Sequence, residues 1–296
     1  LRNLINTTDD DLLILFTADT QYFFQCTIGN DACKLASKSI RFKNGLALYL
    51  YVLVSIFSQV IRKLILSMKS KPSALILNGD LTGYGHLHEL ETFKDQWLTI
   101  PIRILPGLGN HDYENNVNDC VGNHCANRML YWLSLIPENN DLELDYHKKQ
   151  EFFLKTTYLG SFAYKKFICS PSGANCAYVI QLHNRPSYVA QIEAPFTSWQ
   201  ITNSFQWLTN VLNSFNQSLP IFINLHNLDL ISRIKIRDIL DKLKDRKLRI
   251  FILHAHIHHY HRVDMKCTKA GSIPSIYVGS VPNNRKDSKV NNGSEL

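Results

Sequence analysis

What the 296-residue chain lacks narrows it first. There is no Cys-x-x-Cys pair, so a zinc ribbon is excluded. There is no stripe of Lys and Arg with interleaved aromatics, so specific nucleic-acid binding is not expected. No internal repeat and no linker breaks the chain, which predicts one domain over residues 1–281 and a mobile Lys/Asn-rich tail over 282–296. No apolar run is long enough to cross a bilayer. The most apolar stretch, Leu46 to Leu66, carries Ser55, Ser58, Gln59, Arg62 and Lys63. Its continuous part, Leu46 to Phe57, is interrupted by Ser55 and falls short of a span. It reads as part of a buried amphipathic helix from about Gly45 to Lys69.

What is present is an ordinary globular balance, 45% hydrophobic and 19% charged, with a formal charge of +7. The positive balance favours anionic partners: phosphate esters, nucleic acid or an anionic membrane surface. Lys and Arg are scattered rather than clustered, so charge alone names no partner. Oligomeric state is left open.

The seven cysteines say more. Six fall in close pairs, Cys26 with Cys33, Cys120 with Cys125 and Cys169 with Cys176, each in a polar loop that a disulfide can close. This sequential pairing is the working expectation among the pairings six cysteines permit, with Cys267 left over as a buried or free thiol. Local disulfides imply an oxidising compartment, secreted or periplasmic. Asn6, Asn216 and Asn292 begin sequons of the glycosylation type.

Short apolar runs mark the strands. Leu12 to Ala18 runs into Asp19. Ala74 to Asn78 runs into Gly79-Asp80, and Ile102 to Leu105 leads to Gly109-Asn110-His111-Asp112. Pro220 to Leu225 ends at His226, and Arg249 to Leu253 runs into His254-Ala255-His256-Ile257-His258. Helices are predicted over His88 to Leu98, Ala126 to Leu135, Ile201 to Phe215 and Ile231 to Lys244. Ser161 to Ile168 and Ala177 to His183 alternate like antiparallel strands, and Ile276 to Gly279 reads as a last strand. Residues 113–160 look irregular apart from their helix. The pattern predicts an α/β protein with two packed sheets flanked by helices.

Five strand tips carry oxygen or nitrogen donors, and open α/β sheets gather ligands at the carboxyl ends of their strands. A carboxylate shared between two donor sets, with Asn and His around it, suits a pair of first-row divalent metals.

The order Asp19-Thr20-Gln21, Gly79-Asp80, Gly109-Asn110-His111-Asp112, His226, Ala255-His256-Ile257-His258 resembles the calcineurin-like metallophosphoesterase superfamily over about residues 12 to 280. The family pattern is Asp-x-His, Gly-Asp, Gly-Asn-His-Asp/Glu, His, Gly-His-x-His. The resemblance implies a four-layer αββα sandwich of two mixed sheets flanked by helices. It implies two divalent metal ions, Mn, Fe or Zn. Asp19, Asp80 and His258 hold the first, Asp80, Asn110, His226 and His256 the second, and a bridging hydroxide attacks phosphorus. His111 becomes general acid or transition-state stabiliser, with Asp112 either orienting its imidazole or capping the loop. Gln21 stands where the family has a histidine, a neutral and weaker ligand for the first metal. Ala255 replaces a glycine.

His254, His259 and His261 are expected to form a polar rim. His183, Asn184 and Tyr22 are candidate substrate contacts; the alternatives are a satisfied structural histidine at 183 and core packing of the aromatic run from Tyr22 through Phe24. The leading expectation is a secreted phosphoesterase. Its alternatives are a phosphodiesterase acting on phospholipid or nucleotide, and a catalytically weak binding protein on the same scaffold.

Overall fold

The structure is a computed structural model that describes residues 8–20, 59–140, 142–150, 155–215, 219–257 and 261–277. Gln21, Tyr22, the Cys26/Cys33 pair, the first part of the long helix, His258, His259, the three sequon asparagines and the tail lie outside the described residues.

Three apolar runs form a parallel sheet in the order β1-β2-β3: β1 (Ile14–Thr17), β2 (Ala74–Asn78) and β3 (Ile104–Gly107). Every residue of β2 is buried. A strand covered on both faces needs apolar residues at every position rather than alternation, as Ala-Leu-Ile-Leu provides.

The second sheet has seven strands in the order β13-β16-β12-β11-β8-β7-β4. Its strands are β4 (Glu143–Leu144), β7 (Tyr164–Cys169), β8 (Cys176–Gln181), β11 (Pro220–Asn224), β12 (Arg249–His254), β13 (His261–Arg262) and β16 (Ser275–Tyr277). The centre, β8, β11, β12 and β16, is parallel, and both edges turn antiparallel.

The two sheets face each other. The Asn78 side chain donates to the carbonyl oxygens of Leu225 (2.9 Å) and Leu253 (3.0 Å) across the gap, and Gln181 donates to Asn78 Oδ1 at 3.0 Å. Helix α1 (59–67), α2 (Leu87–Phe93) and α3 (His124–Asn140) share one apolar core with β1–β3, through Ile65, Phe93, Met129 and Leu133. Helices α4 (Phe205–Ser214) and α5 (Leu230–Lys242) share a second core with β8, β11 and β12 through Leu208, Leu212, Ile236 and Leu240. Helix, sheet, sheet and helix stack as expected for a mixed α/β sandwich, although the smaller central sheet is wholly parallel among its described strands.

Two differences have clear causes. A four-stranded sheet in the order β5-β6-β10-β9 was not expected, and its first two strands fall within residues 113–160, which read as irregular apart from their helix. It comprises β5 (His147–Gln150), β6 (Thr156–Gly160), β9 (Ala190–Ala194) and β10 (Thr197–Ile201). Strand β5, His-Lys-Lys-Gln, is exposed throughout, so it shows none of the apolar alternation that marks a strand. Ile201, taken as the first residue of a helix, is the last of β10, and α4 begins only at Phe205.

Candidate metal centre

The candidate ligands share one local geometry. Asp19, Asp80, His226 and His256 each stand two residues past the end of a strand, and Asn110 stands three past β3. Asp19, Asp80 and His256 have positive φ of 52°, 51° and 75°, so a left-handed turn follows each strand. Non-glycine residues seldom adopt that region, and such backbone collects at functional sites.

The two motif glycines explain how these turns pack. A Cβ on Gly79, whose φ is 89°, would lie 2.8 Å from His226 Nδ1 and 2.9 Å from the amide nitrogen of Gly109. A Cβ on Gly109 would run into the backbone nitrogen and carboxylate of Asp80. The loops approach closely only because both positions lack side chains.

Asp80 stands at the centre. Its Oδ1 accepts the His111 amide at 2.9 Å, while Oδ2 lies 3.1 Å from His226 Nε2. Asp19 Oδ1 is 3.9 Å from the same nitrogen. His256 Nδ1 lies 3.0 Å from Asn110 Oδ1, and the His226 and His256 rings meet edge to face at 5.3 Å. Ligand atoms of Asp80, His226 and His256 all fall within 4.8 Å of one another.

These residues fit a divalent cation. His226 Nδ1 is 3.0 Å from the Asn78 carbonyl oxygen, which can only accept, so Nδ1 carries the hydrogen. The Nε2 lone pair then faces the Asp80 and Asp19 carboxylates, an arrangement that repels unless positive charge lies there. A ligating histidine commonly donates its other ring N–H to a backbone carbonyl in this way.

The titration of the cluster reports the same demand. Burial alone would lower the pKa of His226, but Asp80 and then Asp19 push it up to about 9. Burial pushes Asp19 up to about 7, against the His226 charge and with that of Asp80. Burial would raise Asp80 as well, but the His226 charge and hydrogen bond hold it below the usual carboxylate range. A buried pair of carboxylates is drawing in a cation, and a metal ion meets that need without a proton.

His111, in the turn Asn110–Glu114 after β3, has Nδ1 3.0 Å from the carbonyl oxygen of Gly83. The loop bearing Gly83 is fixed by Glu89 at the start of α2, which accepts the amides of Tyr84 (2.9 Å) and His86 (3.0 Å). Of the two roles expected of Asp112, its partners fit the loop cap and not the orientation of the His111 imidazole. Its Oδ1 accepts the amide and hydroxyl of Thr82, and its Oδ2 accepts the amides of Leu81 and Gly109. Four donors saturate the carboxylate, and it ties the Asp80 loop to the His111 loop.

His183 and Asn184, the candidate substrate contacts, are both buried. His183 accepts the Leu108 amide at Nδ1 (3.0 Å) and donates from Nε2 to Phe162 O (2.7 Å), which leaves its ring nothing to offer substrate. The Asn184 amide donates to Glu114 Oε2 at 2.6 Å, and its backbone carbonyl accepts the His226 amide at 3.0 Å. The polar-rim expectation also fails for His254. It is fully buried, with Nε2 2.9 Å from Ser275 Oγ and its ring 3.6 Å from that of Tyr277.

Sequence reasoning missed the Glu114–Arg185 ion pair, which joins the turn after His111 to the loop after β8. Seventy-one residues separate the two partners, and no local pattern signals such a contact. His86, Cys120 and Cys125 also lie close together, but the two sulfurs are bonded to each other and so offer no thiolate. Disulfides Cys120–Cys125 and Cys169–Cys176 are present as expected, and Cys267 is a free thiol.

No curated protein matches the chain. The calcineurin-like phosphoesterase pattern matches residues 12–260, which include every described candidate ligand. With the strand-tip geometry, this match makes the chain a phosphoric ester hydrolase of the calcineurin-like phosphoesterase family.

Proposed function

We propose that this protein hydrolyses phosphate esters at a pair of divalent metal ions, with His111 as the general acid. Asp19, Gln21, Asp80 and His258 would hold one ion, and Asp80, Asn110, His226 and His256 the other. Gln21 and His258 enter on the motif alone. When bound, the metals supply Lewis-acid polarisation of the phosphoryl oxygens and activation of the attacking water. The observation that carries the reading is Asp80, whose two oxygens face His111 N and His226 Nε2. One carboxylate thereby ties the metal donors to the loop that presents the acid.

The chain's own residues have separable tasks. The Gly83 carbonyl takes the Nδ1–H of His111, which leaves Nε2 to face the leaving group. Protonated there, His111 gives its Nε2 proton to the departing alkoxide oxygen as the P–O bond breaks. Asp112 holds the two loops in register, and His183 holds the Leu108 amide just before them. The reading includes an oxidising compartment, secreted or periplasmic, which the two disulfides support.

Elemental analysis of the purified protein is the test, combined with assays on p-nitrophenyl phosphate, bis-p-nitrophenyl phosphate and a phosphocholine ester with added Mn²⁺. We expect about two metal equivalents per chain and turnover of at least one ester. Absence of metal together with inertness toward all three would sink the reading.

A further inference from the structure

We infer that the start of α5, beside the metal centre, is a docking surface for an anionic phospholipid bilayer, which it holds against the mouth of the site. The placement of α5 comes first. It begins at Leu230, four residues after His226, and Asp229 caps it by accepting the Ser232 amide at 2.7 Å. The other Asp229 oxygen accepts the Ser187 hydroxyl at 2.9 Å and so pins the loop after β8 to this helix end. That loop carries Arg185, paired with Glu114, and Asn184, whose carbonyl accepts the His226 amide. The helix start and the candidate metal centre therefore share one rim.

The surface is unusual in its chemistry. Leu230 is 71% exposed and Ile231 58%, and Ile234 is exposed one turn further on. Single exposed aliphatics are ordinary, but three within five residues form a patch. Val189, two residues past Ser187 on the pinned loop, is 63% exposed. Ile236, Ile239 and Leu240 already fill the buried face of α5, so the outward aliphatics play no part in the core.

Between these aliphatics stand Arg233 and Lys235, both exposed and without an ion pair among the described residues. No acidic residue appears from Leu230 to Arg237. Protein interfaces are depleted in Lys and enriched in aromatics, whereas the start of α5 carries Lys235 and no aromatic. Aliphatics that enter the acyl boundary, with basic side chains reaching the headgroups, are what an interfacial helix needs. An anionic bilayer matches both parts at once. No described helix is long and apolar enough to cross a membrane, so contact of this kind is peripheral.

The inference rests on the phosphoesterase reading only where it brings headgroup phosphates to the metal centre. Docking itself is tested apart from activity. Full-length protein would be sedimented with vesicles of phosphatidylcholine alone, and with vesicles of about three parts phosphatidylcholine to one part phosphatidylserine. We expect binding to the mixed vesicles, weakened at high salt, and little binding to the neutral ones. The triple variant Leu230→Ser/Ile231→Ser/Ile234→Ser should bind about tenfold or more weakly. Arg233→Gln/Lys235→Gln should lose about fivefold per charge.

All five substitutions are at exposed positions, and circular dichroism would confirm that each variant is folded. Equal binding to both vesicle types, binding to neither, or unchanged binding by the triple variant would overturn the proposal. So would a dimer in sedimentation velocity that the triple variant dissociates, since the patch would then face a second copy. Because the readout is binding, failure here leaves the hydrolase reading intact. An inactive protein that still binds would separate the two in the other direction.

Discussion

Asp112 accepts both the amide and the hydroxyl of Thr82, each at 2.8 Å, and so clamps the loop that carries Asp80. The prediction is that Asp112→Asn harms stability and metal retention rather than proton transfer. Either orientation of a carboxamide turns its NH₂ toward backbone N–H donors, at Thr82 or at Leu81 and Gly109. Such a mismatch costs about 1–3 kcal/mol. Urea unfolding should show that loss, and elemental analysis should show reduced metal. An Asp112→Asn protein of unchanged stability, with a shifted pH–rate profile instead, would mean that Asp112 acts on His111 after all.

His183 links the fold to pH. Burial holds its pKa down at about 4, against 6.5 in the unfolded chain. A base with a depressed folded pKa binds more protons when unfolded. Stability is therefore full above about pH 6.5 and falls as pH drops toward 4. The difference amounts to about 3 kcal/mol over that window. His183→Asn suits the test because asparagine tolerates the positive φ of 59° and keeps an acceptor for the Leu108 amide. It loses the bond to Phe162 O, which costs about 1–2 kcal/mol at neutral pH. It should also flatten the acid limb of the stability curve. Denaturant titrations at several pH values measure both, and an unchanged acid limb would refute the assignment.

The strand tips were legible because each is an apolar run that stops at a polar residue, and in β2 and β3 burial at every position leaves a continuous signature. The exposed strand β5 carries no such signature. Side-chain direction was the other gap. His254 and His256 are two residues apart, yet the first ends β12 with its ring against Ser275, and the second lies in the left-handed turn that reaches Asn110. His183 also stands two residues past its strand with positive φ, like Asp80 and His256, but its ring is used up by backbone groups. Position after a strand marks a candidate, and the hydrogen-bond partners decide its task. Asp112 is the same lesson in miniature: it follows His111 in the chain and turns its carboxylate the other way.

The cysteines give a direct chemical check. Before reduction, Cys120, Cys125, Cys169 and Cys176 should resist iodoacetamide even in denaturant. Cys267 should label slowly in the folded protein, because burial and the nearby Asp241 charge raise its thiol pKa, and fully once unfolded. Peptide mass spectrometry reads both. Replacing Cys169 and Cys176 together by Ser opens a loop of sequence separation 7 and should cost about 2–3 kcal/mol. Alkylation of these cysteines in the unreduced chain would overturn the oxidising-compartment reading.

His111→Ala separates the acid from the metal site. The contact of His111 with Asp80 is made by its backbone amide, which alanine keeps, so metal content should stay near that of the unchanged protein. What disappears is the imidazole held against Gly83 O. Turnover should fall by about 10²–10⁴-fold for an alkyl phosphate ester, the range for loss of a positioned proton donor. The fall should be much smaller for p-nitrophenyl phosphate, because nitrophenolate leaves without needing a proton. Asp80→Asn should behave in the opposite way, losing metal and losing turnover on both esters alike. Equal losses on the two esters in His111→Ala, with metal retained, would assign the ring to transition-state charge rather than to leaving-group protonation. Loss of metal would make it a ligand.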